Sequence, residues 1–324
     1  MSQAKSRWRL LAMEGARLSK VNARPANQQQ AEQFSAMYRR SATELARVRA
    51  FSPNRRLAEY LETAVATAHF AMYRKEPAKF RDAVWGFLGT VPALIRKHWR
   101  YHILIILFTA LSTGIAFAAV MATPDSYFLF VDAQLAAGRD PYASRESLKE
   151  VLDSRNHDLS TGAAFSSMLF THNTQVAFMC FALGLLLGLP TLYLIFKNGL
   201  MLGAFAAIYV RADLTWEFLA WILPHGLPEF GAIFLCAGSG LVMGHRLMNP
   251  GELPRRIALS RAAGEASIMA MGAVPLLLAA GLIEGIFRQS DASMELRYAL
   301  FGTLAVVIGV WLFVGGRRIN KVTA

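Results

Sequence analysis

Cysteine is nearly absent: Cys180 and Cys236 are the only two in 324 residues, and each stands inside an apolar run, where a small buried hydrophobe is the usual role. No disulfide framework can be built from them. Acidic residues are scarce beside basic ones, 22 against 34. The sequence also lacks His-Glu-x-x-His, Gly-x-Ser-x-Gly and P-loop motifs, so zinc peptidase, serine hydrolase and P-loop mechanisms gain no support. The polar, basic start, with Arg7, Arg9, Arg17 and Lys20, is not followed by an apolar core and a small-residue cleavage site. No cleaved signal peptide is expected.

What is abundant points to a membrane. Hydrophobic residues make up 54% of the chain and fall into several near-continuous apolar runs, the pattern of a polytopic membrane protein. The formal net charge of +12 sits at one end: residues 1–101 hold 19 of the 34 Lys and Arg and 7 of the 22 Asp and Glu, and the remainder is neutral. The positive-inside bias and anionic lipid favour such a segment in the cytoplasm. Nucleic-acid binding, the other use of such charge, is not expected.

Two domains are read from this pattern, a basic cytoplasmic helical domain over residues 1–101 and a transmembrane domain over residues 102–324. In the first, Phe34, Met37, Tyr38, Leu45 and Val48 recur at helical spacing, with Arg39, Arg40, Glu44 and Arg47 on the other faces. Asn27 is placed to cap that helix. Ser52-Pro53 closes it and opens a second, whose face of Leu57, Leu61, Ala64 and Ala68 can pack on the first. Glu76-Pro77 ends the second helix, and His69 is expected to be packed or bonded within the bundle. Phe80 to Trp99 reads as an interfacial helix feeding the first span.

Six spans are expected, over residues 102–121, 173–196, 199–210, 227–244, 267–287 and 298–315, with both termini cytoplasmic in the inner membrane. The third is short, since 12 helical residues rise only about 18 Å against a hydrocarbon core of about 30 Å. It is expected to be completed by a break near Arg211 to Asp213 and a short helix through Trp216 to Leu223. Lys197 marks the cytoplasmic return of the second span. Residues 123–171 form a long external loop with four basic and seven acidic residues; Tyr127 to Ala137 is one helix candidate in it and Ser144 opens another. The expected architecture is all-α: a polytopic membrane bundle of about six spans, one short or broken, plus the N-terminal cytoplasmic helical domain.

A polar knot interrupts the apolar region at Ile222-Leu223-Pro224-His225-Gly226-Leu227-Pro228-Glu229. On a helix His225 and Glu229 are one turn apart on the same face, close enough to bond. Ionisable groups at membrane depth are costly and so usually have a partner or a task. Pro224 and Pro228 each withhold a backbone donor, while Gly226 allows close backbone approach. Four Gly-x-x-x-Gly pairs also stand in the spans: Gly184 with Gly188, Gly199 with Gly203, Gly240 with Gly244, and Gly281 with Gly285. Such pairs let membrane helices approach closely, within a chain or across a dimer.

These residues bear a resemblance. Asn173-Thr174-Gln175-Val176-Ala177-Phe178, Ala182-Leu183-Gly184 with Gly188, Phe196-Lys197-Asn198-Gly199-Leu200-Met201-Leu202-Gly203, and above all Pro224-His225-Gly226 with Glu229 resemble the stage II sporulation protein M family. Met37-Tyr38-Arg39-Arg40, Leu45-Ala46-Arg47-Val48-Arg49, and Ala68-His69 with Tyr73-Arg74 are similar to the N-terminal region of its bacterial members. The resemblance implies an integral membrane protein that serves, in spore formers, as the membrane platform of a complex with peptidoglycan-cleaving enzymes. It marks Pro224, His225, Gly226, Glu229, Asn198 and Gly199 as the intramembrane motif.

Three readings of His225 and Glu229 stay open. As a metal or acid/base pair they lack a clear third ligand, with His172 and Glu217 the only candidates and three protein ligands the usual number for catalytic zinc; no enzyme, metal or cofactor is expected. As a transport, channel or lipid-handling site they match the discontinuous helices of transporters. As a structural junction they satisfy one another and the backbone that the prolines free. The last reading takes the fewest assumptions and suits a scaffold that organises an envelope complex. The expected partners are membrane lipids, unidentified envelope or membrane proteins, and a second copy of the chain in a dimer.

Overall fold

The computed structural model describes residues 2–19, 25–51, 55–73, 80–136, 138–152, 159–288 and 292–317. Its elements among them are helical, and the chain divides into two compact units, residues 1–82 and 83–324.

The first unit is a three-helix assembly of α1 (Ser2–Leu18), α2 (Gln28–Phe51) and α3 (Arg55–Tyr73). Helix α2 begins where expected, with the Gln30 amide donating to Asn27 Oδ1 at 2.8 Å. Leu11, Leu18, Phe34 and Ala68 form the core. Helix α1, which the sequence reading did not separate, lies on α3 through Gly15, where a Cβ would come within 3.2 Å of the Ala68 amide nitrogen. Trp8 Nε1 donates to Glu44, which Arg7 also pairs with. His69 lies between the rings of Tyr38 and Tyr73, at 6.0 and 4.6 Å. The junctions at Ser52-Pro53 and Glu76-Pro77 lie outside the described residues.

The second unit begins with α4 (Phe80–Lys97) and α5 (Trp99–Ala122), followed after a 3-10 turn by the loop helices α6 (Tyr127–Phe130), α7 (Ala133–Ala136) and α8 (Arg145–Leu152). Then come α9 (Leu159–Leu183), α10 (Leu189–Arg211), α11 (Thr215–Met248), α12 (Arg255–Met271), α13 (Ala273–Arg288) and α14 (Met294–Val314). Among the described residues five helices are long and apolar enough to cross a membrane: α5, α10, α11, the α12–α13 pair and α14. The compact units divide before most of α4, and α4 bonds to membrane helices: Trp311 Nε1 donates to Leu88 O at 2.8 Å, and Arg96 to the carbonyls of Leu312 and Gly315.

Helix α11 is the centre of this unit. Of its most apolar window 78% is buried, whereas none of the corresponding window of α14 is. It packs against α5, α9, α10, α12, α13 and α14. Its 34 residues run unbroken through Pro224 and Pro228, so the short helix expected at Trp216 to Leu223 and the span expected at 227–244 are one element. Neighbouring helices can re-satisfy backbone groups that proline frees in a membrane, which is why these two prolines do not end the helix.

The third span is not short. Helix α9 stops at Leu183, and a turn over residues 184–188 places Leu187 and Gly188 at positive φ. Pro190 then stands in the first turn of α10, where its missing N–H costs nothing. Residues 189–196, assigned above to the preceding span, therefore open α10 together with Lys197 and Asn198, and give it 23 residues. Thr191 Oγ1 donates to Cys180 O at 2.7 Å across the turn. Lys197, expected at a cytoplasmic end, lies inside α10 and pairs with Asp132 of the loop at 3.0 Å. The break foreseen near Arg211 to Asp213 is present, with Asp213 at φ 54°. A further break falls at Gly272 between α12 and α13.

The glycine pairs sit at helix crossings within the chain. A Cβ on Gly184 would lie 2.2 Å from Gly240 Cα, and one on Gly244 would lie 2.6 Å from Gly184 O and 2.9 Å from Gly188 N. Gly199 and Gly203 abut α5, where added Cβ atoms would come within 1.9 Å of Ser112 Oγ and 2.0 Å of Thr113 O. Gly285 differs, because a Cβ there meets nothing within 4 Å.

Candidate functional site

The α11 segment with the polar knot is walled by α9, α10 and the loop that follows α5. One helical turn separates His225 from Glu229, and both line a cavity of about 70 Å³ shared with Asn173 of α9, Asn198 of α10 and Arg139 of the loop. All but Asn198 are buried: Arg139 and Glu229 are each 4% exposed, His225 6% and Asn173 9%. The Asn173 amide hydrogen-bonds the Glu229 carboxyl, and Glu284 of α13 is close enough to act on it electrostatically. His225 packs edge-on against Trp221, with ring centroids 5.2 Å apart. Pro224 and Pro228 are buried in the same stretch.

Arg139 enters this site from the loop. Its Nη2 donates to Leu135 O at 2.7 Å and its Nε to Ala136 O at 2.9 Å, and its guanidinium lies 4.3 Å from the centre of the Phe205 ring. Gly138 makes the approach possible: at φ 78° it reverses the chain after α7. The Tyr127 hydroxyl donates to Arg139 O, and the Tyr209 hydroxyl is close enough to the guanidinium to act on it electrostatically. Burial pulls the Arg139 pKa below its ordinary value, opposed by Tyr209 and Tyr127. Burial pushes the Tyr127 hydroxyl up, opposed by Arg139. Around this key Tyr127, Val131, Leu148 and Leu152 join Ile208, Phe218 and Trp221 in one apolar cluster. The loop is thus a folded part of the bundle, with Ser144 Oγ accepting from the Ser147 amide at the start of α8 as expected.

Of the residues marked from sequence, His225, Glu229 and Asn198 come together in the cavity. Gly226 instead lines a second, larger and apolar cavity, so α11 walls two neighbouring spaces, with Ile222 and Phe230 between them. Gly199 lies at the α5 crossing. His172 and Glu217, weighed as a third metal ligand, do not line the polar cavity. Among the described residues no group of three His, Cys, Asp or Glu side chains could hold a metal ion. Sequence reasoning gave no role in the site to Asn173 or Arg139. Asn173 stood only in the motif that carries the resemblance, and Arg139 looked like one more charge in a charged loop.

With these groups the site can bond and neutralise buried polar atoms, joining α9, α10, α11 and the loop at one point. No curated protein and no solved structure matches the chain. Residues 1–74 match a domain family of unknown function. Residues 103–287, more than half of the chain and including the whole polar cavity, match the family described as Stage II sporulation protein M, and the protein is therefore a multi-pass membrane protein of that family.

Proposed function

We propose that the protein is a membrane platform that organises a peptidoglycan-remodelling or related complex of the cell envelope. The observation that carries this reading is the mounting of the loop after α5. Arg139 and Tyr127 hold it against α10 and α11, while Phe128, Leu129 and Tyr142 stand 56%, 81% and 67% exposed on it. Exposed apolar side chains on a rigid extramembrane mount suit a protein partner. The polar cavity, at about 70 Å³, has room for only a few waters. A conducting path would need more.

In this reading α5, α9, α10, α11, α12–α13 and α14 cross the inner membrane, with both termini cytoplasmic and the loop outside. Its support is the charge, +12 over residues 1–101 against −3 over residues 123–158, the loop expected to run to 171 being shortened by the start of α9 at Leu159. A second copy of the chain pairs through the face of α13 that carries Gly285, where a Cβ would meet nothing within 4 Å. A photoreactive side chain at Leu129 tests the platform in native membranes. Crosslinks to peptidoglycan-cleaving enzymes or other envelope proteins support it. Crosslinks to lipid alone, with ion or lipid flux through vesicles of the pure protein, would replace it with a transport function. Disulfide formation by Gly285→Cys in membranes tests the dimer, and single-chain mass after oxidation refutes it.

A further inference from the structure

On a face of α11 next to the polar cavity, with Ile222 and Phe230 lining both, lies a groove of about 540 Å³. It is bounded by α11, α5 and α14, with Ile95 of α4 and Leu276 of α13 closing its margins. Along α11 its wall is the stripe Leu223, Leu227, Phe230, Gly231 and Phe234, at helical spacing. Gly231 holds space open: a Cβ there would meet only Leu276 Cδ1, at 3.7 Å. The groove is several times larger than the cavity of about 150 Å³ that stays dry in a protein interior and takes up small hydrocarbons. Water is a poor filling, because each molecule needs two to four polar partners and the wall is almost wholly apolar.

One ring in that wall is polar. His102 is 6% exposed, and its Nδ1 lies 3.2 Å from Phe234 O. A carbonyl only accepts, so Nδ1 carries the hydrogen, and in the neutral ring Nε2 is left as an acceptor. Among the described residues Nε2 has no hydrogen-bond partner. Gly238 fixes the ring, since a Cβ there would come within 2.2 Å of Nδ1. A charge stands beside the wall, on the residue after Ile95. Arg96 bonds the carbonyls of Leu312 and Gly315 beside Trp311 and Ile95, and a guanidinium has five donors, more than these two contacts use.

We propose that this groove is a binding site for an anionic glycerolipid whose headgroup bears a hydroxyl. An acyl chain lies along α11 between Leu235 and Ile222, a length of about 20 Å at the helical rise. The phosphate sits at Arg96 and the hydroxyl donates to His102 Nε2. Charge complementarity selects an anionic headgroup, and the acceptor at Nε2 selects a donor beside it. The groove shares Ile222 and Phe230 with the neighbouring cavity but none of its polar side chains, and the proposal does not depend on the platform reading.

The test is native mass spectrometry of the full chain in mild detergent, titrated with phosphatidylglycerol or phosphatidylcholine. The parent is expected to retain one phosphatidylglycerol at concentrations where phosphatidylcholine is lost. Gly231→Leu fills the groove from an uncrowded position and is expected to melt at or above the parent temperature while losing the retained lipid. Leu227→Trp fills it from the next turn and gives the same readout should the first variant misfold. His102→Phe is expected to weaken phosphatidylglycerol retention several-fold and leave phosphatidylcholine unchanged. Equal retention of the two lipids by the parent, or undiminished retention by folded groove-filling variants, overturns the proposal.

Discussion

Replacing Gly240 with alanine tests the close crossing of α9 and α11. The added Cβ would lie 2.5 Å from Cys180 O and 3.2 Å from both Gly184 Cα and Phe181 O, where ordinary contact begins at 3.4 Å. The obstructing atoms are backbone, so no rotamer change relieves them and the helices must part by roughly 1 Å, with the loss of interior packing that this entails. The Thr191 to Cys180 hydrogen bond, which closes the α9–α10 turn, lies at the same carbonyl and is strained by any such shift. Overpacking costs typically 1–3 kcal/mol, here toward the upper end at about 3 kcal/mol. Alanine recovers about 1 kcal/mol of helix propensity over glycine. The net loss is about 2 kcal/mol, which at about 2–4 °C per kcal/mol for a domain of this size lowers Tm by about 4–8 °C. A fluorescence-detected melt in mild detergent measures it, with Gly114→Ala of α5 as control because a Cβ there meets nothing within 4 Å. The fall should not depend on protein concentration, since both sides of the contact belong to one chain. A Gly240→Ala variant that melts with the parent, or whose Tm falls only on dilution, refutes the intramolecular crossing.

Four further outcomes are expected. Glu229→Ala leaves Asn173 without its acceptor in a buried site and should lower stability by about 1–3 kcal/mol, with Glu229→Gln recovering most of it; normal melting of Glu229→Ala with loss of cellular function would make the site functional rather than structural. Arg139→Met keeps much of the packing but removes the donors to Leu135 and Ala136, so hydrogen exchange over residues 127–152 should quicken while α5 and α11 stay protected; unchanged exchange would show that Arg139 does not hold the loop. The Tyr127 pKa is raised above its usual value near 10, so the neutral hydroxyl's contribution is complete below about pH 10 and is lost as pH rises; the stability gap between the parent and Tyr127→Phe should be full at pH 9 and shrink above pH 10, and a gap that grows there would contradict the burial. A topology reporter fused after Ala324 should be active only in its cytoplasmic form, and activity outside would break the six-crossing arrangement.

Hydropathy and charge by themselves determined the class of this protein, because the cost of exposing apolar runs to water, or a backbone to lipid, depends on composition and length more than on partners. The same local physics made Asn27 and Ser144 legible as caps, Arg211 to Asp213 as a break, and His225 and Glu229 as one helix face. The turn at residues 184–188 was hidden because Leu185, Leu186, Leu187 and Leu189 keep the run apolar; the sign of the turn was Gly188 followed by Pro190, a signal of backbone conformation that hydropathy does not register. The continuity of α11 was hidden for the opposite reason, since Pro224 and Pro228 break a helix in water but are tolerated where neighbours surround it. Only the tertiary structure decided that Arg139 of the charged loop shares a cavity with Asn173, Asn198, His225 and Glu229, and that α11 walls a polar cavity and, next to it, an apolar groove. Those meetings join residues far apart in the chain, and they depend on how closely Gly184, Gly199, Gly203 and Gly240 let the helices approach, a distance set by packing rather than by any local preference.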